Sequence, residues 1–84
     1  MPLYFFHFTN GAHAIPDIEG LNFADIAAAR DCAVDDARYL IEKNQVPGWK
    51  RWRVEVTDEA GRVLLTILFT DVWDSGDGGT AHAA

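Results

Sequence analysis

Only one cysteine, Cys32, occurs in the 84 residues, so no disulfide can form within the chain and a stapled secreted scaffold is excluded. Serine is nearly missing as well. Ser75 stands alone near the C-terminus, which leaves nothing from which to build a serine triad. No uninterrupted apolar run approaches the roughly 20 residues that a membrane-spanning helix needs. Residues 1–8 (MPLYFFHF) lack the basic region that opens a secretory leader, so the expected compartment is the reducing cytoplasm. Lysine and arginine are absent from residues 1–29 and from residues 63–84. All seven basic side chains lie between Arg30 and Arg62, against 13 acidic ones, for a net charge of −6. That balance argues against broad attraction to nucleic acid or anionic lipid.

What is present is an ordinary folding composition, 49% hydrophobic and 24% charged, with three Trp, five Phe and two Tyr. Large aromatic rings suit a short chain, because they bury the most area per residue. The length fits one domain, expected over residues 1–70, followed by a flexible Gly/Asp/Ala-rich tail over 71–84. Leu3 to Phe8 reads as a strand, and Asn10-Gly11 supplies the turn, since both residues tolerate positive φ. A short return strand through His13, Ala14 and Ile15 must stop at Pro16, which has no N–H to give to a ladder.

The helix signal begins at Asn22, read as the cap, with Leu21 and Ile26 as a hydrophobic staple. Ile26, Ala29, Ala33, Ala37 and Leu40 recur at helical spacing, Val34 and Ile41 widen the stripe, and Asp31, Asp35, Arg38 and Glu42 take the opposite side. The helix should end over Lys43 to Gln45, ahead of Pro47-Gly48. Trp52, Val54 and Val56 then alternate with Arg51, Arg53 and Glu55 as a half-buried strand. Asp58 to Gly61 makes a turn, and Arg62 to Thr70 forms the last strand. The order β-β-α-β-β predicts an α+β fold, a small antiparallel sheet of three to four strands with one long helix packed on one face.

One helix covers one face of a sheet, yet the first and last strands are apolar on both sides. Leu3 and Phe5 oppose Tyr4, Phe6 and Phe8, and Leu64 and Leu68 oppose Val63, Leu65, Ile67 and Phe69. The second face is therefore expected to be covered, by a second copy, a different partner, a ligand or the tail through Trp73; the alternative is that Leu3, Phe5, Leu64 and Leu68 are scattered surface apolars. Leu3, Phe5, Leu64, Leu68 and Trp73 are the candidate interface residues, and a homo-oligomer, most simply a dimer, or another protein partner is expected.

Trp49-Lys50-Arg51-Trp52-Arg53 interleaves cations with aromatic rings, the pattern that holds single-stranded nucleic acid when it lies on a sheet. Trp49, Lys50, Arg51 and Arg53 are the residues of this alternative, but alternation turns Trp52 inward and the net charge opposes it. His7, His13, Asp17 and Glu19 lie near one another in sequence without the spacing of a metal motif, so no metal or cofactor is expected. Cys32 has the setting of a small buried thiol. Asp71, Asp74 and Asp77 lack the spacing of a calcium loop. Asp17 and Glu19 face the first helical turns, where either could pair with Arg30. No enzymatic role is read from these residues.

Taken in order, Tyr4-Phe5-Phe6-His7, Asn10-Gly11, Pro16-Asp17 with Glu19-Gly20, Ala27-Ala28-Ala29-Arg30, Trp52 to Glu59, and Gly61-Arg62-Val63-Leu64 resemble a family of short bacterial proteins, domain of unknown function 6894, over about residues 2 to 70. The resemblance implies a small cytoplasmic bacterial protein. It brings no catalytic residue, and the C-terminal tail departs from the shorter family pattern.

Overall fold

A computed structural model describes residues 2–75. The chain runs β1 (Leu3–Thr9), β2 (Ala14–Ile15), β3 (Leu21–Asn22), α1 (Ile26–Glu42), a 3-10 turn (Trp49–Arg51), β4 (Arg53–Thr57), β5 (Val63–Leu68) and α2 (Phe69–Ser75). The α+β class expected from the sequence is the one observed. The sheet is antiparallel in the order β2-β1-β4-β5, with β3 also pairing β1. β2 takes the end of the outer edge of β1, at Phe8 and Thr9, and β3 takes its start, at Leu3 and Tyr4.

The Asn10-Gly11 turn forms as expected. Gly11 has φ +94°, and Asn10 Oδ1 accepts the N–H groups of Ala12 and His13 at 2.9 and 2.7 Å. In the second hairpin Asp58 Oδ1 accepts from Ala60 and Arg62, and its Oδ2 accepts from Arg62 Nε at 3.0 Å. Both turns are built by an Asx side chain bonding backbone a few residues on.

The helix start is corrected. Asn22 is not the cap, because Leu21 and Asn22 are still extended against β1 and the Phe23 N–H still donates to the Pro2 carbonyl at 3.1 Å. The cap falls on Asp25, whose Oδ1 accepts the Ala28 N–H at 2.9 Å. At the other end Asn44 takes φ +54°. Its N–H reaches the Ile41 carbonyl, and the Gln45 N–H reaches that of Leu40, a Schellman closure with Asn in the left-handed position.

The core lies between the sheet and α1. Ala29, Ala33 and Ala37 are fully buried against it, and this row of small side chains lets the helix sit close over Tyr4, Phe6, Val54 and Val56.

The last strand and the tail also differ from expectation. The β4–β5 ladder closes with Phe69 N–H donating to the Trp52 carbonyl at 3.1 Å, and the chain then turns into α2. Phe69 and Val72, three residues apart, fall on one side of that helix and are buried, with Phe69 edge-on to Phe8 at 6.0 Å. Residues 71–75, placed in the tail by composition, are therefore helical. The rest of the expected tail, 76–84, lies outside the described residues. A register shift opposite Thr57 leaves Val63 exposed rather than inward.

Candidate functional site

The sheet face turned away from α1 carries Leu3, Phe5, His7 and Thr9 from β1, Arg53, Glu55 and Thr57 from β4, and Val63, Thr66 and Leu68 from β5, with Leu64 at the register shift between Val63 and Leu65. It is not continuously apolar. The centre, β4, is polar, with Arg53 Nε donating to Glu55 Oε2 at 3.1 Å, and it separates the apolar residues of β1 from those of β5. Leu3 and Phe5 are half-buried. The Phe5 ring stacks on His7 at 6.4 Å and leans over Gly20, where an added Cβ would stand 2.9 Å from Phe5 Cε2. Leu64 and Leu68 are exposed at 42% and 46%. Of the five interface candidates, only these two are exposed on one strand, at its two ends with Thr66 between them. Trp73 sits on α2 with its ring 5.8 Å from that of Trp49, so it belongs with the 3-10 turn.

The two edges of the sheet are finished differently. Along β1, the stretch between the β2 and β3 pairings is covered by the connector, residues 16–20 between β2 and β3: Asp17 Oδ2 accepts the Phe6 N–H at 3.1 Å. His7 fixes the same connector from the side. Its Nδ1 accepts the Asp17 N–H at 3.2 Å, and its Nε2 lies 3.2 Å from Thr57 Oγ1. An N–H donor at Nδ1 requires the tautomer with the proton on Nε2, which then donates to the Thr57 hydroxyl. Asp17 Oδ1 also accepts the Glu19 and Gly20 N–H groups at 3.1 Å. Burial pushes the Asp17 carboxyl up, but the Gly20, Phe6 and Glu19 donors, with His7, outweigh it and hold the carboxyl below its ordinary value.

β5 has no such cover among the described residues. Because the Phe69 N–H donates inward to Trp52, antiparallel alternation turns the backbone groups of Leu68 and Thr66 outward, and beyond the register shift, where Leu64 is the extra residue, those of Val63. Residues 63–70 carry no charge and no proline, two of the devices by which edge strands ordinarily avoid pairing. Sequence reasoning found Leu64 and Leu68 but missed Thr66 between them; the strand alternation that marks the leucines also places it.

The remaining candidates disperse. Trp49, Lys50 and Arg51 form the 3-10 turn rather than a strand, after Gly48 at φ +70°, so the interleaved basic and aromatic strand is not built. Lys50 Nζ lies over the Trp49 ring at 5.9 Å, Arg53 pairs Glu55 on the other side of buried Trp52, and these side chains present no shared platform. Arg30 meets Asp31, not Asp17 or Glu19. Among the described residues no group of three or more His, Cys, Asp or Glu is placed to hold a metal. Half-buried Cys32 has its thiol pushed up by burial and by the Asp36 and Asp35 carboxylates, which favours the unreactive thiol over the thiolate. No helix of the described residues is long and apolar enough to cross a membrane.

No curated protein and no solved structure matches the chain. One family model does, over residues 3–70, which takes in the sheet from β1 to β5, α1 and the connector that Asp17 holds. The chain therefore belongs to the family described as Domain of unknown function (DUF6894).

Proposed function

We propose that this chain is a non-enzymatic interaction module that self-associates by adding β5 of a second copy to its own β5 edge. The observation that carries the reading is the asymmetry of the sheet: β1 has its outer edge closed by β2, β3 and the Asp17 carboxylate, whereas among the described residues no strand pairs the outer edge of β5, beside exposed Val63, Leu64 and Leu68. Bare donors and acceptors in an extended row call for another strand.

A second copy fits that edge in antiparallel register. With Thr66 facing Thr66 of the other copy, outward backbone meets outward backbone at the centre of the strand, and Leu68 of each copy comes opposite Leu64 of the other, at the register shift. The uncharged strand is also where two copies of a −6 chain meet with least repulsion. The side chains with chemical potential, His7, Asp17 and Thr57, are engaged in holding the connector, which supports a role without catalysis.

Light scattering after size exclusion, across a dilution series, tests the proposal. A dimer that dissociates on dilution is expected. Leu64→Lys with Leu68→Lys should give a monomer with an unchanged circular dichroism spectrum, and Thr66→Cys in a Cys32→Ser background should oxidise to a covalent dimer. A monomer at all concentrations, or a dimer indifferent to the paired lysines, overturns it.

A further inference from the structure

A second surface, separate from the β5 edge, lies where α1 leaves the outer side of β1 uncovered. There an open cleft of about 360 Å³ is floored by Phe6 and Phe8 and walled by Ile15 and Leu21, with Glu19 on the connector and Asp36 on α1 among its lining. The volume is within the range of small ligand sites. Asp17 also lines the cleft, but its carboxylate oxygens are occupied by the Phe6, Glu19 and Gly20 N–H groups. Glu19 and Asp36 are different. Neither takes part in an ion pair among the described residues: the α1 arginines Arg30 and Arg38 reach Asp31 and Asp35, and residues 1–29 hold no lysine or arginine at all.

An apolar floor with two carboxylates in the same lining, neither with a cation of its own among the described residues, is complementary to one chemical shape, an aliphatic stem ending in a positive charge. Asp36 is exposed on α1, yet partial desolvation of its carboxyl, with Asp35 next to it, pushes that carboxyl up. A cation arriving there relieves that cost. The surroundings favour a polypeptide as its carrier, because the cleft walls Ile15 and Leu21 are themselves exposed at 47% and 54%, and Ile18, outside the lining on the same connector, is exposed at 86%. A lone amine would leave them in water, whereas a peptide flanking the charge with apolar side chains would cover them.

We infer that this cleft binds a basic side chain, lysine or arginine, of a polypeptide partner, with the stem on Phe6 and Phe8 and the charge between Glu19 and Asp36. The inference does not depend on self-association, since it uses the opposite side of the sheet.

The test is a titration of the full-length, nitrogen-15-labelled chain followed by amide shifts, with the peptide acetyl-Leu-Lys-Leu-amide as probe. Shifts are expected at Phe8, Ile15, Gly20, Leu21 and Asp36, in the millimolar range. Affinity should fall at least tenfold for Asp36→Asn combined with Glu19→Gln, exposed replacements that keep side-chain shape. The same peptide with glutamine in place of lysine should bind at least tenfold more weakly. Absence of cleft shifts overturns the inference. So does equal binding of the glutamine peptide, which would mark an apolar contact only, and so does equal binding of butylammonium, which would mark a free amine as the ligand.

Discussion

The Asp17 carboxylate accepts the Phe6 N–H at 3.1 Å, at the one stretch of the outer edge of β1 that neither β2 nor β3 reaches. A single side chain thus does what a ladder rung would do, and its other oxygen holds the connector through Glu19 and Gly20. Asp17→Ala strands three N–H donors of a half-buried site. Bonds to a charged acceptor are worth roughly 1.5–3 kcal/mol each, and stranded donors cost about 1–3 kcal/mol where water cannot replace the partner. Partial solvent access reduces the total, so a loss of about 1–3 kcal/mol in urea unfolding is expected, with Asp17→Asn costing less. An unchanged midpoint would remove Asp17 from its role in closing the edge.

Acid should unfold the chain through two aspartates. The Asp17 carboxyl is raised by burial but lowered overall by its N–H donors and His7. Asp58 is lowered chiefly by the Arg62 N–H, against some desolvation, with the Arg62 guanidinium and the Ala60 N–H adding to the effect. Carboxyls held below their unfolded value of about 3.9 stabilise the fold fully above that pH, and the contribution is lost as pH falls through the folded value. Asp36 runs the other way: burial and Asp35 raise it, so its contribution is unfavourable at neutral pH and is relieved on acidification. Thermal midpoints should therefore decline below about pH 4. In Asp17→Asn that decline should flatten, and in Asp36→Asn the neutral-pH midpoint should rise slightly.

The elements legible in the sequence are those whose signal is local. Asn10-Gly11, the Asp58 to Gly61 turn and the alanine stripe of α1 each need only neighbouring residues to be read. The helix cap was not legible, because Asn22 and Asp25 are equally able to cap and the choice is made by pairing with Leu3 and Tyr4, some 18 residues earlier. Phe69 continues the inward alternation of β5, and only its packing against Phe8 and Val72's burial beside it reveal a helix. At the β5 edge Leu64 and Leu68 were readable as exposed apolars, but the closure of the opposite edge depends on the Asp17 side chain, which no periodicity records.

Gly20 is expected to be the least replaceable glycine outside the turns. It has φ +72°, and an alanine Cβ there would lie 2.9 Å from Phe5 Cε2 and 3.1 Å from Leu3 Cγ. Gly11 and Gly61 also have positive φ, but a Cβ at either meets nothing within 4 Å. Alanine in the left-handed region costs about 1–2 kcal/mol. Gly11→Ala and Gly61→Ala should show that backbone cost alone, whereas Gly20→Ala should exceed it, because Phe5 must leave its place against His7. Urea unfolding of the three variants side by side checks the order, and equal losses would contradict it.

Two valines near the ends of β5 separate the helical reading of residues 69–75 from the tail that composition suggests. Val72 is buried at 2%, one α2 turn beyond fully buried Phe69, whereas Val63 is exposed at 54% at the register shift. Truncating a buried valine to alanine removes two methyl groups and leaves a gap, worth about 1–3 kcal/mol at roughly 0.8 kcal/mol per buried group plus the cavity. The same change at an exposed site falls within about 0.5 kcal/mol. Val72→Ala should therefore lower the urea midpoint, and Val63→Ala should leave it nearly unchanged at concentrations where the chain is monomeric. In a domain whose total stability is about 5–10 kcal/mol, that difference is readily measured. Equal, negligible effects at both positions would mean that α2 contributes nothing to the fold, and that Phe69 is held by the ladder bond to Trp52 alone.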